Sequence, residues 1–163
     1  MNELVAGQNA PAGEHTLRFS VAATGFEVDV VGLVVDDRLQ VLGSDDVVFY
    51  NQPATRGVTL ADGQLAIDLD ALRPDARVLC AVGFDDVTAD LAGTGLRAEL
   101  TVGGPGPGFG FTLRPIYGET AMLCFELYPR AGQWKVRALG QGYQGGLAEL
   151  LSSHGVEVDD PAP

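Results

Sequence analysis

Residues 119–142 read ETAMLCFELYPRAGQWKVRALGQG, and the fold class follows from how this stretch is parsed. Thr120 to Tyr128 is an almost unbroken apolar run, while Gln133 to Leu139 alternates, with Trp134, Val136 and Ala138 set against Lys135 and Arg137. A period of two places one set of side chains on one face of a strand and the other set opposite. Pro129-Arg130-Ala131-Gly132 lies between the two runs and carries turn residues, so the pair reads as a β-hairpin.

Similar runs recur before the hairpin. Upstream are Leu17 to Val21, Phe26 to Val35, Asp46 to Tyr50, Gln64 to Leu69, Arg77 to Phe84, Leu96 to Val102 and Phe109 to Leu113, separated by Gly, Pro, Asp and Asn. Many short β-rich runs with turn signals between them predict an all-β sandwich of two mainly antiparallel sheets. One short C-terminal helix is expected, because Leu147, Leu150 and Leu151 share a face and Gly155 supplies a stop. A chain of 163 residues suits a single domain over 1–163, with the acidic, proline-ended stretch 155–163 expected to fray. GGPGPGFG at 103–110 is read as a turn; with no following Lys-Ser or Lys-Thr it is not a phosphate loop.

Charge narrows the range of partners. The formal net charge is −12, which repels nucleic-acid phosphates and anionic lipid headgroups and suits cations or basic protein surfaces. No run reaches the ~18 apolar residues of a membrane span. The start, MNELVAGQNAP, lacks the basic and apolar regions of a signal peptide, so a cytoplasmic location without membrane insertion is expected. Cys80 and Cys124 each sit inside an apolar run with no basic neighbour, as small core residues do in a reducing compartment.

Little supports catalysis. The two histidines, His15 and His154, have no GxSxG elbow or neighbouring cysteine to serve, and they read as surface residues. Two cysteines and two histidines at these spacings do not make a zinc site. Carboxylates are the exception. Glu27 and Asp29 project from one face of a strand whose other face carries Phe26, Val28 and Val30. Asp36-Asp37 falls in the next turn, and Ser44-Asp45-Asp46 precedes the following strand. Oxygen-rich clusters of this kind bind hard cations such as Ca2+, and a solvated acidic rim has the same sequence signature. Glu99 and Glu126 interrupt apolar strands, either as outward-facing members of the alternation or as carboxylates in a polar cluster.

Two blocks carry a family resemblance. Phe26-Glu27-Val28-Asp29, an apolar strand, and then Asp45-Asp46-Val47-Val48-Phe49-Tyr50-Asn51-Gln52-Pro53 resemble the TerD hallmark FDLDA…SDEDFVFYNQP. Glu119 to Met122, Glu126-Leu127-Tyr128, Trp134 to Ala138, Gly140 to Tyr143 and Gly145-Gly146-Leu147 resemble the family's ETAM, ELY, WKxRA and GQGxxGGL series. The turn Gly7 to Pro11 is similar to that of divergent actinobacterial members. The resemblance implies a calcium-binding β-sandwich with a role in tellurite resistance or general stress response. It also implies partners in a cytoplasmic, partly membrane-associated stress complex, and no defined reaction.

The chain departs from the family pattern after Pro53. There the family has an acidic, glycine-rich loop of the form GDxxTGxGxGDDE. Residues 54–64 are shorter, with Asp62 their only carboxylate and Arg56 a cation. Two expectations follow. In one, calcium is still held, with Glu27, Asp29, Asp45 and Asp46 as the main carboxylate sources and Asp62 as an accessory. In the other, the chain is a degenerate, metal-free interaction module that docks through an exposed aromatic patch near Tyr143 or Phe109 or through a sheet edge.

Overall fold

The computed structural model describes residues 2–23, 27–84, 96–103, 108–115 and 118–156. The first strands are β1 (Asn2–Leu4), β2 (Asn9–Pro11), β3 (Thr16–Ala23) and β4 (Val28–Val35). Then come β5 (Val47–Val48), β6 (Ala54–Thr55), β7 (Val58–Ala61), β8 (Gln64–Asp68) and β9 (Arg77–Phe84). The last are β10 (Leu96–Val102), β11 (Phe109–Thr112), β12 (Ala121–Arg130) and β13 (Gln133–Tyr143), followed by the helix α1 (Gly146–Ser153). Phe26, residues 104–107 of the 103–110 turn and residues 157–163 of the expected tail lie outside the described residues.

These strands form two sheets, as the alternating and continuous apolar runs require. Among the described residues one sheet has the order β1-β11-β10-β3-β8-β7-β6 and the other β2-β13-β12-β9-β4-β5. All pairings are antiparallel except β1 with β11. The hairpin at 119–142 is β12–β13, with Pro129 and Arg130 inside β12 and the turn tightened to Ala131-Gly132. Its register shifts between Leu123 and Phe125, a bulge that β12 also shows against β9.

The inner faces of the two sheets meet in the main core, where Phe19, Leu65, Leu100, Phe125 and Leu127 are fully buried. Cys80 and Cys124 lie here as free thiols. Burial pushes both well above the usual cysteine range, so neither forms a thiolate at neutral pH.

A second apolar layer covers the outer face of the six-stranded sheet. Val31, Leu33, Val35, Leu79, Ala81, Ala121 and Leu123 point outward from β4, β9 and β12, and Leu147, Leu150 and Leu151 of α1 pack onto them. These central strands are therefore buried on both faces. That is why 30–35 and 78–84 read as continuous apolar runs rather than as alternation.

α1 sits close because β9 offers no side chain beneath Leu147, at Gly83. A Cβ on Gly83 would lie 2.5 Å from Cγ of Leu147. At its far end, His154 is buried rather than on the surface as expected. Its Nδ1 lies 2.8 Å from the Leu39 carbonyl and its Nε2 3.5 Å from the Tyr143 hydroxyl. The Val41 N–H donates to the His154 carbonyl and the Gln40 amide to that of Ser153, tying the 36–41 segment to the helix end.

Gly83→Ala is expected to destabilise the fold by about 1–3 kcal/mol through overpacking against Leu147. Adding Leu147→Ala should recover part of that loss, so urea unfolding of the two single variants and the double variant should show non-additive costs.

Candidate functional site

The motif Ser44 to Pro53 folds into a tight, self-bonded corner. Ser44–Asp46 makes one 3-10 turn, β5 runs for two residues, and the chain then reverses. Phe49 and Gln52 exchange both backbone hydrogen bonds, at 3.1 and 2.9 Å. The Gln52 side-chain amide donates to the carbonyls of Ser44 and Val47 at 2.7 and 2.6 Å. The motif residues therefore define a corner that ends β5 early.

The carboxylates named from the sequence take different roles. Asp46 is buried: its Oδ2 accepts from the Leu42 N–H at 2.8 Å, and its Oδ1 meets the Arg73 guanidinium at 2.7 Å. Asp45 is exposed on the same turn, and Glu27 is exposed just before β4. Asp29 is exposed at the start of β4, on the face that becomes the second core from Val31 onward. Asp62 is an exposed turn residue with φ 53°, joining β7 to β8 together with Gly63 at φ 74°. Among the described residues no three His, Cys, Asp or Glu side chains gather so as to hold a metal ion. Calcium takes six to eight oxygens. Both Asp46 side-chain oxygens are engaged within the fold, one by the Leu42 N–H and one by Arg73.

The other charged groups form structural pairs. Asp36 closes its own turn, with Oδ1 accepting from the N–H groups of Arg38 and Gln40 at 2.8 and 3.1 Å. The Gln40 and then the Arg38 N–H hold its carboxyl below the usual aspartate value of 3.8. Glu126 is the buried polar-cluster case. It lies 3.1 Å from Arg77 and 3.7 Å from Arg137, and both guanidiniums sit over the Tyr128 ring. Glu99 is the more open case, half-buried beside Arg97. His15 is exposed and paired with Asp70 at 2.7 Å. Among the described residues no hydroxyl of Ser or Thr and no thiol bonds to either histidine.

Asp29 does belong to a site, and it is an apolar one. A cavity of about 240 Å³ opens along the first half of β4, from Val28 to Val31. Phe49 and Tyr50, from the corner after β5, form one end of it, with Tyr50 74% exposed. Leu60 and Gly63 of the β7–β8 hairpin wall it from the seven-stranded sheet, and Leu147 and Leu151 of α1 from the outer layer. Sequence reasoning missed this cavity, although the Asp62-Gly63 dipeptide between two apolar-containing runs was a signal for the hairpin that walls it. Tyr143 and Phe109, expected as docking aromatics, are both buried.

Fold and site together define a helix-covered β-sandwich with an apolar cavity at an open sheet edge and with Asp46 of the motif paired to an arginine. Comparison with known proteins finds likeness to TerD proteins. The TerD domain family model matches residues 109–154, from β11 through α1. The tellurium resistance protein TerD of Serratia marcescens is 27% identical over 153 residues, covering 82% of this chain and 80% of that one. TerD of an Alcaligenes species is 29% identical over the same shares of the two chains. General stress protein 16U of Bacillus subtilis is 50% identical over 40 residues, 24% of this chain and 21% of that protein. The TerD resemblance carried by the motifs is thereby borne out.

Two variants test these assignments. Asp46→Ala strands a partly buried guanidinium and an unpaired N–H, so it should cost about 2–3 kcal/mol in urea unfolding. The stability that Asp36 contributes is present above its unfolded value of 3.8 and is lost as pH falls through its lowered folded value. Asp36→Asn should therefore lessen the fall in melting temperature below about pH 4, measured against the parent chain.

Proposed function

We propose that this chain is a TerD-like stress-response protein associated with tellurite resistance, working by binding other proteins rather than by catalysis and without a need for calcium. The relatives named for tellurium resistance and general stress supply the stress context. The Arg73–Asp46 pair carries the metal-independent part: a guanidinium occupies the carboxylate that the motif would otherwise offer to a cation. The shortened loop after Pro53 points the same way. Its residues are used as β6, β7 and the Asp62-Gly63 turn, with backbone rather than ligand duties.

An acidic surface of net charge −12 favours basic partner surfaces over nucleic acid or anionic lipid. No helix of the described residues is long and apolar enough to cross a membrane.

Thermal unfolding in millimolar calcium and in chelator distinguishes this reading from the calcium-binding one. A ligand bound only by the folded state raises the melting temperature by mass action. The two curves are expected to coincide; an upward shift in calcium that saturates, and that Asp29→Asn abolishes, would show that the ion is a resident ligand.

A further inference from the structure

We propose that the cavity beside β4 is an open strand position, which takes an extended segment of a partner protein with alternating apolar and basic side chains. This rests on the reading of the chain as a protein-binding module and names the surface that does the binding.

The geometry starts with β5. It pairs with β4 only at Gly32↔Val48 and Leu33↔Val47 and then turns away through the Phe49–Gln52 corner. β4 itself pairs with β9 along its whole length, from Val28↔Phe84 to Val35↔Arg77. Val28 to Val31 thus form an edge in which alternate backbone N–H and C=O groups face away from β9. Among the described residues nothing bonds to them on that side. The cavity occupies the place where β5 would continue.

Its walls are those of a strand slot. On one side Leu60 and Gly63 receive side chains that point toward the main core, and on the other Leu147 and Leu151 receive those that point outward. An incoming strand running antiparallel to β4 would gain main-chain hydrogen bonds along the edge and bury alternate side chains on either side, the strand-addition mode of peptide recognition.

Charge selects the occupant. Asp29 lines the slot and Glu27 precedes the lining residue Val28 in the chain, both carboxylates exposed. A basic side chain beside Asp29 would form a charge-assisted contact. A second copy of this chain is a poor fit, because edge-to-edge pairing of two β4 strands would bring these carboxylates together on molecules that each carry −12.

The test uses the full chain in chelator and in calcium, with an octapeptide of alternating valine and lysine as the probe. Amide exchange followed by NMR should show the outward-facing amides among Val28–Val31 protected about tenfold or more on binding. Asp29→Lys and Tyr50→Ala, both at exposed positions, should each weaken binding by about tenfold while melting as the parent does. A peptide with glutamate in place of lysine should bind more weakly still.

Failure of the lysine peptide to bind in either buffer, or binding that leaves those amides unprotected, would overturn the slot and leave the metal-independent reading standing. Self-association of the chain that protects the same amides would overturn the choice of occupant. Protection that appears only in calcium would uphold the slot and overturn the metal-independent reading.

Discussion

The packing of α1 against β9 is the contact on which the rest of the molecule depends. Without it the six-stranded sheet would show water an outer face of valine, leucine and alanine, and its central strands would have no reason to be apolar on both sides. Gly83 allows the approach, and Leu150 is fully buried beneath the helix. The helix end is then pinned to the 36–41 segment through His154, Val41 and Gln40. An eight-residue helix is too short to persist alone, so its stability comes from this docking. The docking in turn fixes the corner after β4, because Leu39, Val41 and Phe49 pack on the same layer.

Electrostatics follow a division of labour. Of the ten basic residues, Arg56, Arg73, Arg77, Arg97, Lys135 and Arg137 hold carbonyls, amides or carboxylates of the fold itself. Six of the ten basic residues thus serve local structure, and with 22 acidic residues the chain keeps a negative excess. Glu126 shows the pattern best. A carboxylate buried on a sheet face is tolerable only because two guanidiniums and the face of Tyr128 surround it. Exposed pairs such as His15–Asp70 add little, since water screens them.

The strands that were legible in the sequence are those with long hydrophobic runs. β9 and β10 coincide with the runs Arg77 to Phe84 and Leu96 to Val102, and α1 with the leucine face at 147–151. β1, β2 and β6 were not legible, because three-residue or two-residue strands have no period to detect. β5 was overread. Val47 to Tyr50 is apolar enough for a strand, yet the Gln52 amide bonds back to Ser44 and Val47 and reverses the chain after two residues. The carboxylates illustrate a different limit. Spacing places Asp29 on a face and Asp46 before a strand, but it cannot show that Arg73, 27 positions away, reaches Asp46 first.

The short stretch after Pro53 accounts for the presence of the cavity. Where the family pattern that the chain resembles has a long acidic loop after Pro53, this chain has compact strands: β6 pairs with β7, and β7 turns through Asp62-Gly63 onto β8. The hairpin brings Leu60 and Gly63 to the edge of β4, and the space between them and the helix becomes apolar. Asp29 keeps its position in the motif, but its neighbours are now Val31, Phe49, Tyr50 and Leu147 rather than other oxygens. A lone carboxylate at the rim of an apolar slot is poorly suited to a divalent ion, which needs many oxygens. It is well suited to a basic side chain on a partner strand that alternates apolar and basic residues, where a charge-assisted contact sets the register.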